Sequence, residues 1–432
     1  MNPDEPTPSA GDPQPGLVRG LGVTDAVVIG LGSMVGAGVF AVWAPAAQAA
    51  GGALLVGLVI AAIVAYCNAA SSAQLAAQYP VSGGAYVYGR ERLSPTVGFL
   101  AGSCFVLGKT ASCAAMALTF ATYAVPDPGW LRRGVALLAV ILLAAVNYRG
   151  VTRTARLTRV LVVCSLAVLA LVLVLLQASA GTDPLPSVWP GGTSVYGVLQ
   201  AAGLLFFAFA GYARIATMGE EVRDPARTIP RAVSIALLIA VGIYFVIGLM
   251  LLRSVGAPGL AASGAPLTTA VRAAEAAWAV PIVRVGAALA SLGALLALIA
   301  GISRTALAMA RNGDLPGWLA AVHPRFRVPH HAEVALAVVV GVLVLTVDLR
   351  GVIGFSSFGV LLYYAVANAA AFTQTRDQRR WPRAVNVLGL LGCVVLAFTL
   401  PPASAIAAAV VLAVALLARW LIRSGRVGSA RS

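Results

Sequence analysis

Charged residues are scarce in this sequence, and the acidic ones are the scarcest. Only 10% of the 432 residues are Asp, Glu, Lys or Arg, and 15 acidic residues stand against 30 basic ones. Lysine occurs once and histidine three times. With 60% hydrophobic residues and a mean hydropathy of +0.90, this composition excludes an ordinary water-soluble domain and indicates an integral membrane protein.

Cysteine and histidine are too few and too scattered for a disulfide framework or a metal site. The five cysteines all fall inside apolar runs, and we interpret them as small packing residues: Cys67, Cys104, Cys113, Cys164 and Cys393. The three histidines share one loop but match no metal-ligand spacing: His323, His330 and His331. We therefore expect no metal and no cofactor.

Long apolar runs are what the sequence has instead. A helix needs about 20 apolar residues to cross a bilayer. Twelve runs fit a membrane span: 24–48, 53–77, 97–124, 134–150, 160–178, 195–218, 232–252, 282–306, 333–348, 352–374, 385–400 and 403–422. The sequence therefore predicts an all-α membrane protein with twelve transmembrane helices, the last two joined only by a tight turn at Pro401 and Pro402.

The arginines predict the orientation of these spans. With the N-terminus in the cytoplasm, 22 arginines fall in cytoplasmic tails and loops and 6 in outside loops, as the positive-inside rule requires. Residues 1–22 lack the pattern of a signal peptide and predict a disordered cytoplasmic tail, and residues 423–432 predict a cytoplasmic C-terminal tail. The net charge of +15 thus reflects topology and not a nucleic-acid partner, while contact of 376–383 with anionic lipid stays open.

Span 1 contains the sequence GLGSMVGAG at residues 30–38. Glycine costs about 1 kcal/mol relative to alanine inside a helix, so this stretch predicts a break that faces protein or a wet cavity. A continuous helix that packs closely through Gly32 and Gly36 is the alternative. Gly211, in the middle of span 6, favours breaks in both spans, because paired interrupted helices mark the central site of a transporter.

Four segments, taken in order, resemble the amino acid–polyamine–organocation permease superfamily. They are GSMVGAGVF followed by Pro45, YPVSGGAYVYGRERLSPTVGFLAG at 79–102, FFAFAGY with EEVRDPARTIPRA at 206–232, and ARNGDLPGWLAAVHPRFRVP at 310–329. The resemblance covers nearly the whole chain. It implies a five-plus-five inverted repeat over 23–178 and 195–374 with broken helices 1 and 6, and two extra helices over 384–422. It also implies transport of amino acids across the cytoplasmic membrane by alternating access.

The resemblance also assigns roles at the two breaks. In such permeases the free amides after the first break hold the substrate carboxylate, as the positive end of a half-helix would. The substrate ammonium is expected at carbonyls where half-helices end. The residues concerned are Gly36, Ala37 and Gly38 for the carboxylate, and Ser33, Met34, Phe207 and Ala210, beside Gly211, for the ammonium. The side chains of Phe207, Phe209 and Tyr212 are expected to gate the site or shape its pocket, with ordinary helix packing as the alternative.

The single lysine, Lys109, lies about 13 residues into span 3, or about 20 Å along a helix, which is too deep to snorkel easily. Unlike arginine, a buried lysine can give up a proton. We therefore predict a proton-coupling group or a built-in ammonium, with a structural lysine bonded to a neighbouring helix as the alternative. Family members with an intramembrane lysine carry it in span 5, where this chain has none.

Arg214 follows the second break, where many family members carry an acidic residue. This cation weakens the case for a polyamine or cationic substrate, unless it simply pairs with Glu220 or Glu221 in the same span. On the cytoplasmic side, residues 79–95 predict a short helix that serves either as an inner gate or as a rigid connector.

Proton-coupled uptake of amino acids is the predicted function, with exchange of amino acids, polyamines or other organic cations as the alternative. An intramembrane enzyme would need convergent catalytic side chains, and a channel would need a polar lining or a filter repeat. Neither pattern is visible, since the spans hold almost no carboxylates. Sodium coupling is disfavoured because span 8 offers few hydroxyls beyond Ser291 and Ser303. Membrane lipid is the only other expected partner, and the sequence gives no oligomeric state.

Overall fold

The computed structural model describes residues 21–79, 83–125, 129–149, 155–179, 192–216, 218 and 222–429, without the side chains of 155–158 and 421–429. The helices are α1 (Val23–Met34), α2 (Ala37–Ala41), α3 (Trp43–Ala50), α4 (Leu54–Gln78), α5 (Ala85–Arg92), α6 (Pro95–Ala124), α7 (Trp130–Tyr148), α8 (Ala155–Ala178), α9 (Val195–Phe209), α10 (Ala213–Ala216), α11 (Pro225–Ala262), α12 (Pro266–Ala273), α13 (Val280–Arg311), α14 (His330–Thr346), α15 (Leu349–Phe372), α16 (Arg383–Thr399) and α17 (Pro402–Ser429). Short 3₁₀ turns lie at Gly51–Ala53, Ala210–Tyr212, Ala277–Ala279 and Gly317–Ala320. Within these described ranges there is no β-strand, and the predicted all-α class is confirmed.

In the part of the chain that the structure describes, ten helical segments are long and apolar enough to cross a membrane, and they overlap ten of the twelve predicted spans. The other two predictions, 333–348 and 385–400, correspond to α14 and α16, which have 17 residues each. A 17-residue helix is about 26 Å long, slightly less than the hydrocarbon thickness of about 30 Å. The count of twelve spans and the inverted repeat therefore stay predictions.

Helix α6 runs through the interior of the protein. It is among the most buried spans, together with α9 and α15, whereas only 22% of the apolar stretch is buried in α7 and in α17. The close crossing of α6 and α15 depends on Gly108, where a Cβ atom would lie 3.1 Å from the Ser356 carbonyl oxygen. Small residues at such crossings let membrane helices approach each other. Lys109, the next residue, is consequently held inside the bundle.

Two of the helical paths are interrupted along their length. Val35 and Gly36, with ψ angles of 47° and −141°, leave the helical conformation between α1 and α2. Helix α9 ends at Phe209, and a 3₁₀ turn leads into α10. The first break is thus narrower than the 30–38 stretch that predicts it, because residues 30–34 remain in α1. The alternative of one continuous helix through this stretch is wrong.

Candidate functional site

The two breaks lie directly against each other. A Cβ atom on Gly211 would lie 2.6 Å from the Met34 nitrogen and even closer to the Ser33 carbonyl. Backbone atoms cannot retreat from such a contact as a flexible side chain can, so this position requires glycine. On the other side of the first break, a Cβ atom on Gly38 would lie 2.7 Å from the α-carbon of Ala208. The structure therefore brings together the backbone positions that the sequence singles out in spans 1 and 6.

The first turn of α2 presents the amides predicted to bind a carboxylate. Gly36 precedes this helix and, because it has no side chain, cannot cap the first amides. The first N–H groups of a helix have no partner within the helix itself. Hydrogen bonds from Val42 N to Gly38 O (3.1 Å) and from Ala46 N to Val42 O (3.0 Å) carry the helical path on into α3. The chain therefore has the backbone arrangement that suits an anion at this break.

Tyr244, on α11, joins the two breaks, and sequence reasoning missed it. The single proton of its hydroxyl is shared between the carbonyl oxygens of Met34 (2.7 Å) and Ala208 (3.2 Å). Its ring packs on Phe209 with a centroid separation of 5.1 Å. The Met34 carbonyl, predicted to receive the substrate ammonium, is thus already bonded within the protein. In the sequence, the only indication of its role was that it is a single tyrosine in an otherwise apolar span.

Lys109 reaches the second break from α6. Its Nζ atom donates to the Ala210 carbonyl oxygen at 3.1 Å, and the residue is only 6% exposed. Within the described part of the chain this is its single hydrogen bond, and no ion pair joins it to a carboxylate. The structure therefore places the predicted lysine on one of the carbonyls predicted to bind an ammonium. This bond is compatible with two of the predicted roles, a built-in ammonium and a structural lysine bonded to a neighbouring helix.

The aromatic residues of span 6 pack against neighbouring helices. Phe209 contacts Tyr244, and Tyr212 stacks on Tyr364 of α15 with centroids 5.0 Å apart and planes at 29°. Both are fully buried, whereas Phe207 retains 7% exposure. In this conformation Phe209 and Tyr212 make ordinary helix-packing contacts. A gating role stays a prediction for all three aromatic residues.

A small cavity adjoins the first break on the side of α8 and α13. Its volume is about 20 Å³, enough for one water molecule. Its walls include Gly32, Val35, Leu161, Val162, Ser165, Leu289, Ala290, Gly293 and Ala294. The Ser165 hydroxyl donates to the Leu161 carbonyl of its own helix at 2.8 Å. Ser165 therefore carries the one polar side chain in this lining, and backbone groups supply the rest of its polar surface.

A buried carboxylate joins three elements on the predicted cytoplasmic side, and we call Arg90, Asp314 and Arg419 the Asp314 cluster. The Asp314 oxygens lie 2.8 Å from Arg90 of α5 and 2.6 Å from Arg419 of α17, and its side chain is fully buried. The Tyr86 hydroxyl also donates to it, at 2.9 Å. The predicted short cytoplasmic helix is present as α5, and this cluster fixes it to the end of α13 and to α17. Its members are 224 and 105 positions apart, so sequence spacing gave no indication of it.

A second polar group, the amide network, lies among α4, α15 and α16. Asn368 accepts a hydrogen bond from Ser71 (2.7 Å) and donates one to Asn68 (2.6 Å). Asn386 donates to Ser71 (2.6 Å), and the Cys393 thiol donates to Asn68 (3.2 Å). Polar residues on three separate helices thus hydrogen-bond to one another inside the bundle. Cys393 has a polar partner here in addition to its predicted packing role.

Arg214 is exposed on α10. Its predicted partners, Glu220 and Glu221, lie outside the described residues, as does the N-terminal tail. The pairing therefore stays a prediction.

Residues 21–423 match the model of a family described as amino acid permease. An uncharacterized transporter of Mycobacterium tuberculosis is 57% identical over 93% of this chain and 91% of its own length. The branched-chain amino acid permease BcaP of Bacillus subtilis is 26% identical over 87% and 84% of the two chains. The chloroplastic cationic amino acid transporter 6 of Arabidopsis thaliana is 27% identical over 87% and 69%. The names of these relatives point to transporters and not to enzymes.

Proposed function

This chain belongs to the amino acid permease family, within the amino acid–polyamine–organocation superfamily, and we propose that it carries amino acids across the cytoplasmic membrane by alternating access. The observation that supports this function most directly is the contact between the two breaks at Gly211. Unwound backbone inside a membrane is tolerated only where it is covered by protein or lines a cavity. The first break is such a stretch, and its contact with the 3₁₀ turn of span 6 forms the kind of site around which a carrier alternates.

Backbone groups of the two breaks recognise the substrate in this proposal. The amides of Gly36, Ala37 and Gly38 bind its carboxylate at the positive end of the half-helix. The carbonyl of Ser33 remains a candidate for its ammonium, while those of Met34, Phe207 and Ala210 already accept from Tyr244, the Ala210 amide and Lys109 and have one lone pair left to offer.

The driving force that we propose is a proton gradient, with Lys109 as the coupling group. Lysine can exchange a proton where arginine cannot, and Lys109 is the one lysine in the chain. Its bond to Ala210 ties its ammonium to the 3₁₀ turn between α9 and α10. A movement at that turn during transport would change the surroundings of the amine and release or bind its proton.

Purified protein in proteoliposomes tests the function with a panel of labelled amino acids and polyamines. We expect saturable uptake of at least one amino acid that is accelerated by the same unlabelled amino acid on the other side of the membrane. An imposed pH gradient, acidic outside, should drive accumulation. Flux that does not saturate would indicate a channel, and chemical conversion of the substrate would indicate an enzyme. Exchange whose rate does not depend on the pH gradient would support the antiporter alternative.

The variant Lys109→Met tests the coupling separately. We expect it to lose pH-driven accumulation while exchange between internal and external amino acid remains measurable. Unchanged accumulation under the pH gradient would remove Lys109 from the coupling mechanism and leave the transport function untouched.

A further inference from the structure

Lys109 carries a positive charge that the surrounding chain does not neutralise, and we propose that the substrate neutralises it. The substrates would be amino acids with a net negative charge, glutamate or aspartate, whose side-chain carboxylate pairs with the Lys109 ammonium. This inference rests on the proposed transport function, because it names the substrate class of the same site.

The surroundings of the Lys109 amine leave its hydrogen-bonding capacity unfilled. An ammonium has three donors, and one of them reaches the Ala210 carbonyl. The residue is 6% exposed, so bulk water does not supply the others. A buried charge is strongly unfavourable unless an opposite charge and further hydrogen bonds accompany it. A carboxylate beside Lys109 would provide both.

The helices around the breaks do not supply that carboxylate. One acidic residue, Asp25, occurs in the described sequences of α1, α2, α4, α6, α9, α10, α11, α13 and α15. Asp25 lies 2.6 Å from Arg159 and is therefore already paired. Within these described helices Lys109 therefore has no carboxylate partner, and a carboxylate of the substrate is the counter-ion that we propose for its protonated form.

Lys109 lies at the proposed substrate site. Ala210, its partner, is adjacent to Gly211, which packs directly on the Ser33–Met34 backbone. The lysine therefore lies at the meeting point of the two breaks and not at a remote interface. Its bond occupies one carbonyl predicted for an ammonium, so the chain itself already places a cation there.

Charge complementarity then selects among amino acids. A cationic amino acid would bring a second positive side chain toward Lys109, which is repulsive at short range in a medium of low dielectric constant. A neutral amino acid would leave the lysine charge unpaired. Glutamate carries one excess negative charge and matches the lysine, whereas glutamine has nearly the same shape without that charge. The pairs glutamate/glutamine and aspartate/asparagine thus isolate the proposed interaction.

Exchange in proteoliposomes, without any imposed gradient, tests the inference on the wild-type protein. We expect glutamate to compete for exchange at least tenfold more strongly than glutamine, and aspartate more strongly than asparagine. Equal or stronger competition by the amides, or by neutral or cationic amino acids, would overturn the inference and leave the transport function standing. Exchange of no amino acid at all would overturn both.

The variant Lys109→Met should bring the glutamate/glutamine ratio to about one, because neither ligand then meets a charge. Arg272→Gln is the matched control, since it removes one positive charge from an exposed position on α12, and we expect the wild-type ratio. A preserved preference for glutamate in folded Lys109→Met would show that another group selects the charge and would refute the inference. If that variant does not fold, the comparison on the wild-type protein decides alone.

Discussion

At the scale of single residues, the candidate site depends on positions that tolerate almost no added atoms. Gly211 lies so close to the backbone of Ser33 and Met34 that no methyl group fits between them. Tyr244 satisfies a carbonyl on each side of the breaks with one hydroxyl. The first is a steric requirement and the second a hydrogen-bonding one, so the two can be tested independently.

We expect Gly211→Ala to abolish transport and to destabilise the protein by about 1–3 kcal/mol, the usual cost of overpacking. The added Cβ would lie 2.6 Å from Met34 N, which belongs to backbone and cannot move aside. Gly301→Ala on α13 is the matched control, because nothing lies within 4 Å of its added atom, and alanine favours the helix by about 1 kcal/mol. Uptake assays and thermal unfolding in detergent measure both. Equal behaviour of the two variants would contradict the close contact of the breaks.

Tyr244→Phe should cost about 1–3 kcal/mol, because two buried carbonyls lose their donor while the ring contact with Phe209 remains. Tyr196→Phe, at a side chain that is 49% exposed, should leave the unfolding temperature unchanged. The two variants differ from wild type by the same single oxygen atom. A loss of stability at Tyr196 alone, or at neither position, would argue against the hydroxyl bridge.

At the scale of elements, one carboxylate determines how three helices meet at the predicted cytoplasmic end. Asp314 follows α13 and pairs with an arginine from α5 and an arginine from α17. A buried carboxylate that keeps two cationic partners contributes mainly by preventing either cation from being buried alone. The packing of α5 and α17 at this end should therefore depend on this side chain.

Asp314→Asn should destabilise this end by about 3–5 kcal/mol, because the buried Arg419 and the partly exposed Arg90 would both lose their counter-charge. Amide hydrogen exchange should rise in α5 and α17 and remain low in α15. Asp224→Asn is the matched control, since its pair with Arg227 spans 3.7 Å between side chains that are 56% and 76% exposed. Such exposed pairs contribute less than about 1 kcal/mol. Faster exchange across the whole protein, and not only in α5 and α17, would refute a local role.

At the scale of the whole molecule, the orientation follows from where the arginines fall and can be tested by labelling. All five native cysteines are buried or half-buried, so a membrane-impermeant thiol reagent should react little with the wild-type protein. In right-side-out vesicles we expect Ala273→Cys, at the exposed end of α12, to react, and Asp377→Cys, in the exposed loop before α16, to stay unlabelled. Inverted vesicles should give the opposite pattern. Labelling of Asp377→Cys from outside would reverse the predicted topology.

The sequence was sufficient for the class, the family and the location of the breaks, because these depend on local composition. Glycines at 30–38 and at 211 weaken a helix wherever it lies, and a single lysine in an apolar span is visible without a structure. The width of the first break was not predictable, since Gly30 and Gly32 stay helical within α1. Tyr244 and Asp314 were missed because their partners lie on distant segments, and spacing along the chain carries no information about such contacts.

The position of Arg419 has a consequence for how the protein is made. It lies on α17, which follows the other described helices along the chain, yet it pairs with Asp314 beside Arg90 of α5. A ribosome releases this residue only after the helices that precede it have been synthesised. The end of the bundle around α5 therefore cannot reach its final arrangement until α17 has been made, and a chain shortened before residue 419 would insert its earlier helices and still lack this contact.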